Sequence, residues 1–133
     1  MEQKELYNKE FCKIYYNSEF QHINIQWQGF PRSYEFRDAC YKVIDFMTEY
    51  KTGKLLTDNR NAKVFSVEDQ KWLNNEWLPQ AIKAGYYCSA TLINDDVFVK
   101  TAIKNITKRR DNDTLKTKIF TDEDEAVSWL LSV

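Results

Sequence analysis

The chain has 133 residues, of which 43% are apolar and 29% charged, and its 19 Lys plus Arg stand against 20 Asp plus Glu for a formal net charge of -1. This is the size of one domain around one core, and the composition of a folded globule rather than a disordered segment. So even a charge balance offers no field to draw in nucleic acid or an anionic membrane, and neither partner is expected.

Four Trp, eight Tyr and eight Phe are more rings than a core of this size usually needs. Some are expected to line a partner surface or a pocket, unless they are simply scattered over the surface. Cys12, Cys40 and Cys88 are odd in number and lie far apart within apolar stretches. They read as reduced, buried thiols, which implies a cytoplasmic location. The charged start Met1-Glu2-Gln3-Lys4-Glu5 has no apolar leader, and no stretch approaches the roughly 20 apolar residues of a membrane span.

In chain order, Phe11 to Tyr16 and Phe20 to Gln28 read as two strands joined by a turn at Asn17-Ser18-Glu19. In the second strand Ile23, Ile25 and Trp27 alternate with His22, Asn24, Gln26 and Gln28, predicting one face inward and one toward water or an edge. After the Gly29-Phe30-Pro31 break, Ser33 is placed to cap a helix with Phe36, Cys40, Val43, Met47 and Tyr50 on its inner side, closed by Gly53. Lys54 to Asp58 reads as a short central strand and Asn59 to Phe65 as a polar loop. Ser66-Val67-Glu68-Asp69 is a variant capping box opening a second helix, with Leu73, Trp77 and Ala81 inward, a kink or restart at Pro79, and a stop at Gly85.

Tyr86 to Ile93 is a further strand, Asp95 or its neighbour caps a helix carrying Val99, Ile103 and Ile106, and Leu115 to Phe120 is the last strand. Lys108-Arg109-Arg110 fits the cationic last turn of the preceding helix. The final helix is expected from Thr121, with Asp122 to Glu125 in its first turn and Ala126, Val127, Trp129 and Leu130 inward. The expected fold is α/β, a single domain over residues 1–133 with a core at about 11–131. Its sheet is mixed, mostly parallel and five-stranded, with four helices in the order ββαβαβαβα.

The segment Asp58-Asn59-Arg60-Asn61 is the leading candidate site, because it leaves the carboxyl end of a central strand, where open α/β sheets present ligand-binding loops. Arg60 offers a planar fork for carboxylate or phosphate and Asp58 can orient it; the same pair could merely fix the crossover turn. Trp72 and Trp77 lie five residues apart, so they do not share one stripe of a regular helix. Both can be core, or one can border a groove or a dimer contact. His22 is the sole histidine, and no nucleophile is marked for it to serve. No cofactor or metal is expected: Gly29, Gly53 and Gly85 are isolated stops, not a phosphate cradle, and one His with scattered Cys supplies no ligand spacing.

Leu55-Leu56-Thr57-Asp58-Asn59-Arg60, then Val67-Glu68-Asp69-Gln70-Lys71-Trp72, then Glu76-Trp77-Leu78-Pro79 with Ala81 and the Gly85 stop, resemble the SpoIIAA-like branch of the STAS superfamily, the anti-sigma-factor-antagonist fold. The resemblance runs over about residues 11 to 131. It implies a fold used for binding and regulation rather than catalysis, switched in some members by phosphorylation of a serine at the start of the second helix. This chain departs there: Asp58-Asn59-Arg60-Asn61 carries no hydroxyl before Ser66, which reads as a helix cap more readily than as a phosphosite. The expected function is a non-catalytic module that binds a partner protein, a second copy of itself as a homodimer, or a small apolar or anionic molecule. The alternative is a small enzyme with acid-base groups at Asp58 and Arg60 and His22 nearby.

Overall fold

The computed structural model describes residues 3–63, 65–108, 110, 111 and 113–133. It is an α/β fold with one mixed sheet of six strands: β1 (Gln3–Lys9), β2 (Cys12–Asn17), β3 (His22–Gly29), β4 (Lys54–Ala62), β5 (Cys88–Leu92) and β6 (Lys116–Phe120). The strands lie side by side in chain order. β1, β2 and β3 pair antiparallel, while β3 to β6 pair parallel.

The sixth strand corrects the five-stranded expectation. Gln3–Lys9 shows no apolar alternation because it is an edge strand: Leu6 and Tyr7 are only half-buried against the core, and the register shifts between Glu5 and Tyr7. Lysines and a bulge are what keep such an edge from pairing with another chain, so its polar look is part of its role.

Helices follow β3, β4, β5 and β6. They are α1 (Ser33–Tyr50), then α2 (Val67–Trp72) running through a π-turn (Leu73–Trp77) into α3 (Leu78–Lys83), then α4 (Val97–Thr107) and α5 (Glu123–Ser132). Pro79 does not break the second helical body. The amide of Leu78 bonds the carbonyl of Leu73, five residues back, and Pro79 follows directly, so the locally wider turn accommodates a residue that has no N–H to donate. Three caps shift by one residue or less from expectation: Arg32, Asp96 and Asp122 occupy the N-cap positions of α1, α4 and α5. Ser33 falls inside the first turn of α1 and donates to Asp69 Oδ2 at 3.0 Å, while Glu35 reaches back to accept from the Arg32 amide. Ser66 caps α2 as expected, accepting from the Asp69 amide at 3.0 Å.

Gly53 matters for close approach rather than for a turn. A Cβ there would lie 1.9 Å from the Gly85 carbonyl oxygen, and the left-handed residue closing α1 is Lys51. The Gly53 carbonyl instead accepts from the amides of Tyr87 and Cys88, aligning β4 with β5.

Because the sheet grows in one direction from β3 to β6, three crossovers of the same hand must put their helices on the same face. Accordingly Phe36, Val43, Trp77, Ala81, Ile103 and Ile106 share one core with Ile14, Ile25 and Leu55. The opposite face has only α5, whose Ala126 and Leu130 pack on Leu56, Cys88, Ala90 and Leu92. The strand order never reverses, so this sheet has no switch-point crevice of the doubly wound kind.

Candidate functional site

The polar run after Asp58 is not a loop. β4 continues to Ala62 because β3 keeps pairing with it, Gln28 opposite Asn61 and Gly29 opposite Ala62, past the point where β5 ends. On the side that β5 has left, the Asn94 amide nitrogen donates to the Arg60 carbonyl, a side chain standing in for the missing strand. Strand alternation then divides the expected site between the two faces.

Asp58 and Arg60 point to the α5 side. The Arg60 guanidinium donates to both Asp58 oxygens, from Nε at 3.0 Å and Nη2 at 2.8 Å, and Nη2 also reaches Glu123 Oε1 at 2.9 Å. These hydrogen bonds raise the Arg60 pKa, so the group is a fixed cation with its fork already filled. The arrangement ties the end of β4 to the first turn of α5, a contact between elements far apart in the chain and not the fixing of a crossover turn. His22 does not join it. It stands level with the start of β4, since Ile23 pairs with Leu55, whereas Asp58 pairs with Gln26. Four strand residues separate the two levels, roughly 13 Å.

Asn59 points the other way, toward the helix layer. There a partly enclosed cavity of about 70 Å³ lies between the sheet and α1, the second helical body and α4. Trp27, Phe36, Phe65, Trp77, Ile103 and Ile106 form most of its apolar wall. The sheet side is different: Thr57 and Asn59 of β4 and Ser89 and Thr91 of β5 put four polar side chains on it. Asn59 is 1% exposed and its Oδ1 has no hydrogen-bond partner, and the buried Nε of Arg110, also on the lining, has none either.

Five of the rings, Trp27, Phe36, Phe65, Trp77 and Tyr86, line this cavity. Trp27, Phe36 and Phe65 meet one another at centroid distances of 4.9 to 5.8 Å, and Trp77 meets Tyr86 at 5.6 Å. Trp77 is buried, its indole N–H donating to the Cys40 carbonyl at 2.7 Å. Trp72 is half-buried at the border, edge-on to Phe36 and Tyr41, with the Arg37 guanidinium 5.1 Å from its ring. The wider π-turn between the two tryptophans brings residues five apart toward one side, which is why both reach the core.

Asn61 is exposed on β4. Cys12, Cys40 and Cys88 are free and buried, and burial pushes all three thiols up, so none is poised as a thiolate. Among the described residues no group of three or more His, Cys, Asp or Glu is placed to hold a metal ion, and no helix is long and apolar enough to cross a membrane.

Thr57, Ser89 and Thr91 were not singled out in the sequence, though a signal exists. Each alternates with an apolar neighbour on a central strand, which puts the polar side chains together on one face; that this face lies under the helices is set by the crossovers and not by the alternation. Arg110 sits in the basic run read as a helix end, whose Arg109 lies outside the described residues. No family model, curated protein or solved structure matches this chain.

Proposed function

We propose that the chain is a non-catalytic binding module that takes a small, mostly apolar molecule into the cavity between its sheet and its helix layer. The observation that carries this reading is the cavity's polar patch. The unpartnered Asn59 Oδ1 offers an acceptor and the Arg110 Nε a donor, both on a lining otherwise made of rings and aliphatic side chains. A ligand with an apolar body and one hydroxyl can satisfy both, donating to Asn59 and accepting from Arg110. At about 70 Å³ the space suits a single ring or a short branched chain.

The resemblance to SpoIIAA-like STAS domains, with its emphasis on binding, agrees with this reading. The residues of the enzyme alternative do not come together, since Arg60 is committed to Asp58 and Glu123 and His22 lies at another level. Association with a second copy or a partner protein fits the same reading, and the strongly exposed Phe30, Tyr34, Val97 and Phe98 are the apolar groups such a contact would cover.

Phenol is a suitable probe. Its saturable binding should raise thermal stability by mass action, about 2.7 kcal/mol at a hundred times the Kd, and change Trp fluorescence. Asn59→Leu should abolish the effect, whereas Arg60→Met, on the opposite face, should leave it intact. Loss of binding in Arg60→Met with Asn59→Leu unaffected would return the site to the end of β4 and overturn the cavity reading, as would the absence of any saturable response.

A further inference from the structure

We infer that the sparsely covered face of the sheet carries a second binding site, a groove beside α5 that takes a small organic amine as its ammonium ion. α5 covers β4 to β6 and flanks β3, so a groove runs between the helix and the antiparallel strands. Its floor follows from the register. Gln3 pairs with Asn17 and Asn17 with His22, so these three side chains form one row across β1, β2 and β3, with Asn24 in the next row.

Three polar atoms on that floor are buried and lack partners: Gln3 Oε1, Asn24 Oδ1 and His22 Nδ1, the last an acceptor when the ring proton is on Nε2. His22 is 1% exposed and Asn24 4%, so water does not serve them freely. Leaving such groups unmade costs about 1–3 kcal/mol each, and three in one groove point to an occupant that donates hydrogen bonds. An ammonium group has three N–H donors and no acceptor.

The walls agree in sign. Glu19, Glu123 and Asp124 line the groove, and among these Glu123 is shared with Arg60. Lys54 is a cation near His22, and its ammonium donates to the Leu130 carbonyl at 2.6 Å at the far end of α5. Leu56, Val127 and Leu131 supply apolar surface for a short alkyl chain. Burial, followed by the charge of Lys54, pushes His22 down to about 4, so at neutral pH the ring is uncharged and one nitrogen is free to accept. This site shares no lining residue with the cavity under the helices, so each stands or falls by itself.

The sole histidine makes the test direct, because its ring nitrogens give one pair of ¹⁵N signals. Butylammonium added to the ¹⁵N-labelled protein at pH 7 should shift the Nδ1 signal saturably, with the ring proton on Nε2, and butanol should not. N-acetyl-lysine amide serves as a second arm: a response to it as well assigns the site to lysyl side chains and free amines alike, and a response to butylammonium alone restricts it to free amines. Asn24→Leu should weaken binding about tenfold. Glu19→Gln, at an exposed position, should weaken it severalfold. No saturable shift, an equal response to butanol, a ring that keeps its proton on Nδ1, or full binding in both variants would overturn the inference.

Discussion

The two faces of this sheet are made by the same strands and could hardly be used more differently. On one, α1, the second helical body and α4 enclose an aromatic core with a small void. On the other, a single ten-residue helix covers half the area and leaves a polar groove. The difference follows from topology rather than from composition. A sheet that grows steadily in one direction sends every same-handed crossover to one side, so the remaining side is covered only by whatever follows the last strand. Packing density is therefore concentrated on the helix-rich face, while the α5 face must hold its polar side chains with fewer neighbours.

Emptying each face in turn measures how unequally the two contribute to stability. Trp77→Ala removes a buried ring and its N–H donor to Cys40, and should lower stability by about 3–5 kcal/mol, read by urea denaturation. Leu130→Ala, under α5, should cost less, about 2–3 kcal/mol, because the small cluster around it can collapse onto open sheet. Equal losses would show that the two faces contribute alike, against the division drawn here.

A second prediction tests how a face with little cover keeps a histidine neutral. His22 is buried beside Phe20, whose ring lies parallel at 6.4 Å, and its pKa falls from 6.5 to about 4. A lowered folded-state pKa means that the unfolded chain binds the extra proton first. Stability from this group is therefore complete above pH 6.5, falls as pH drops toward 4, and changes no further below that, by up to about 3 kcal/mol. Denaturation from pH 8 to pH 4 should show this loss in the native chain, and His22→Gln should remove that part of the pH dependence. A native and a variant profile that run parallel through the window would mean that the ring is far more solvated than its surroundings suggest.

Much of the architecture was legible because it rests on local patterns. The helical spacing of Phe36, Cys40, Val43 and Met47, and the alternation of Ile23, Ile25 and Trp27, survive intact in α1 and β3. What was not legible depends on neighbours. Asn59 to Ala62 look like a loop until β3 is seen to pair with them, and Gln3–Lys9 look like a charged tail until β2 supplies its ladder. The same holds at the site. Asp58, Asn59, Arg60 and Asn61 are adjacent in sequence, yet alternation sends Asn59 into the cavity and spends Arg60 on Asp58 and Glu123. His22 and Asn24 occupy positions read as facing water or an edge, and are buried because α5 and Phe20 flank them.

The smallest effect concerns Ser66, which lies where the chain passes from the sheet to the helix-rich face. Its hydroxyl oxygen accepts from the Asp69 amide, so Ser66→Ala should cost about 1 kcal/mol, and Ser66→Asp, which also caps, should recover most of that. A phosphate at the same oxygen would meet the favourable end of α2 but also Glu68 and Asp69 in its first turn. Asp69 is already held by Ser33 at 3.0 Å and lies 3.5 Å from Arg37, so a new charge at Ser66 would compete with Asp69 for that arginine. A cap therefore predicts that Ser66→Asp changes stability slightly and phenol binding not at all. A switch predicts that the same substitution alters binding while the helix stays formed, and only that result would give Ser66 a regulatory role beyond starting α2.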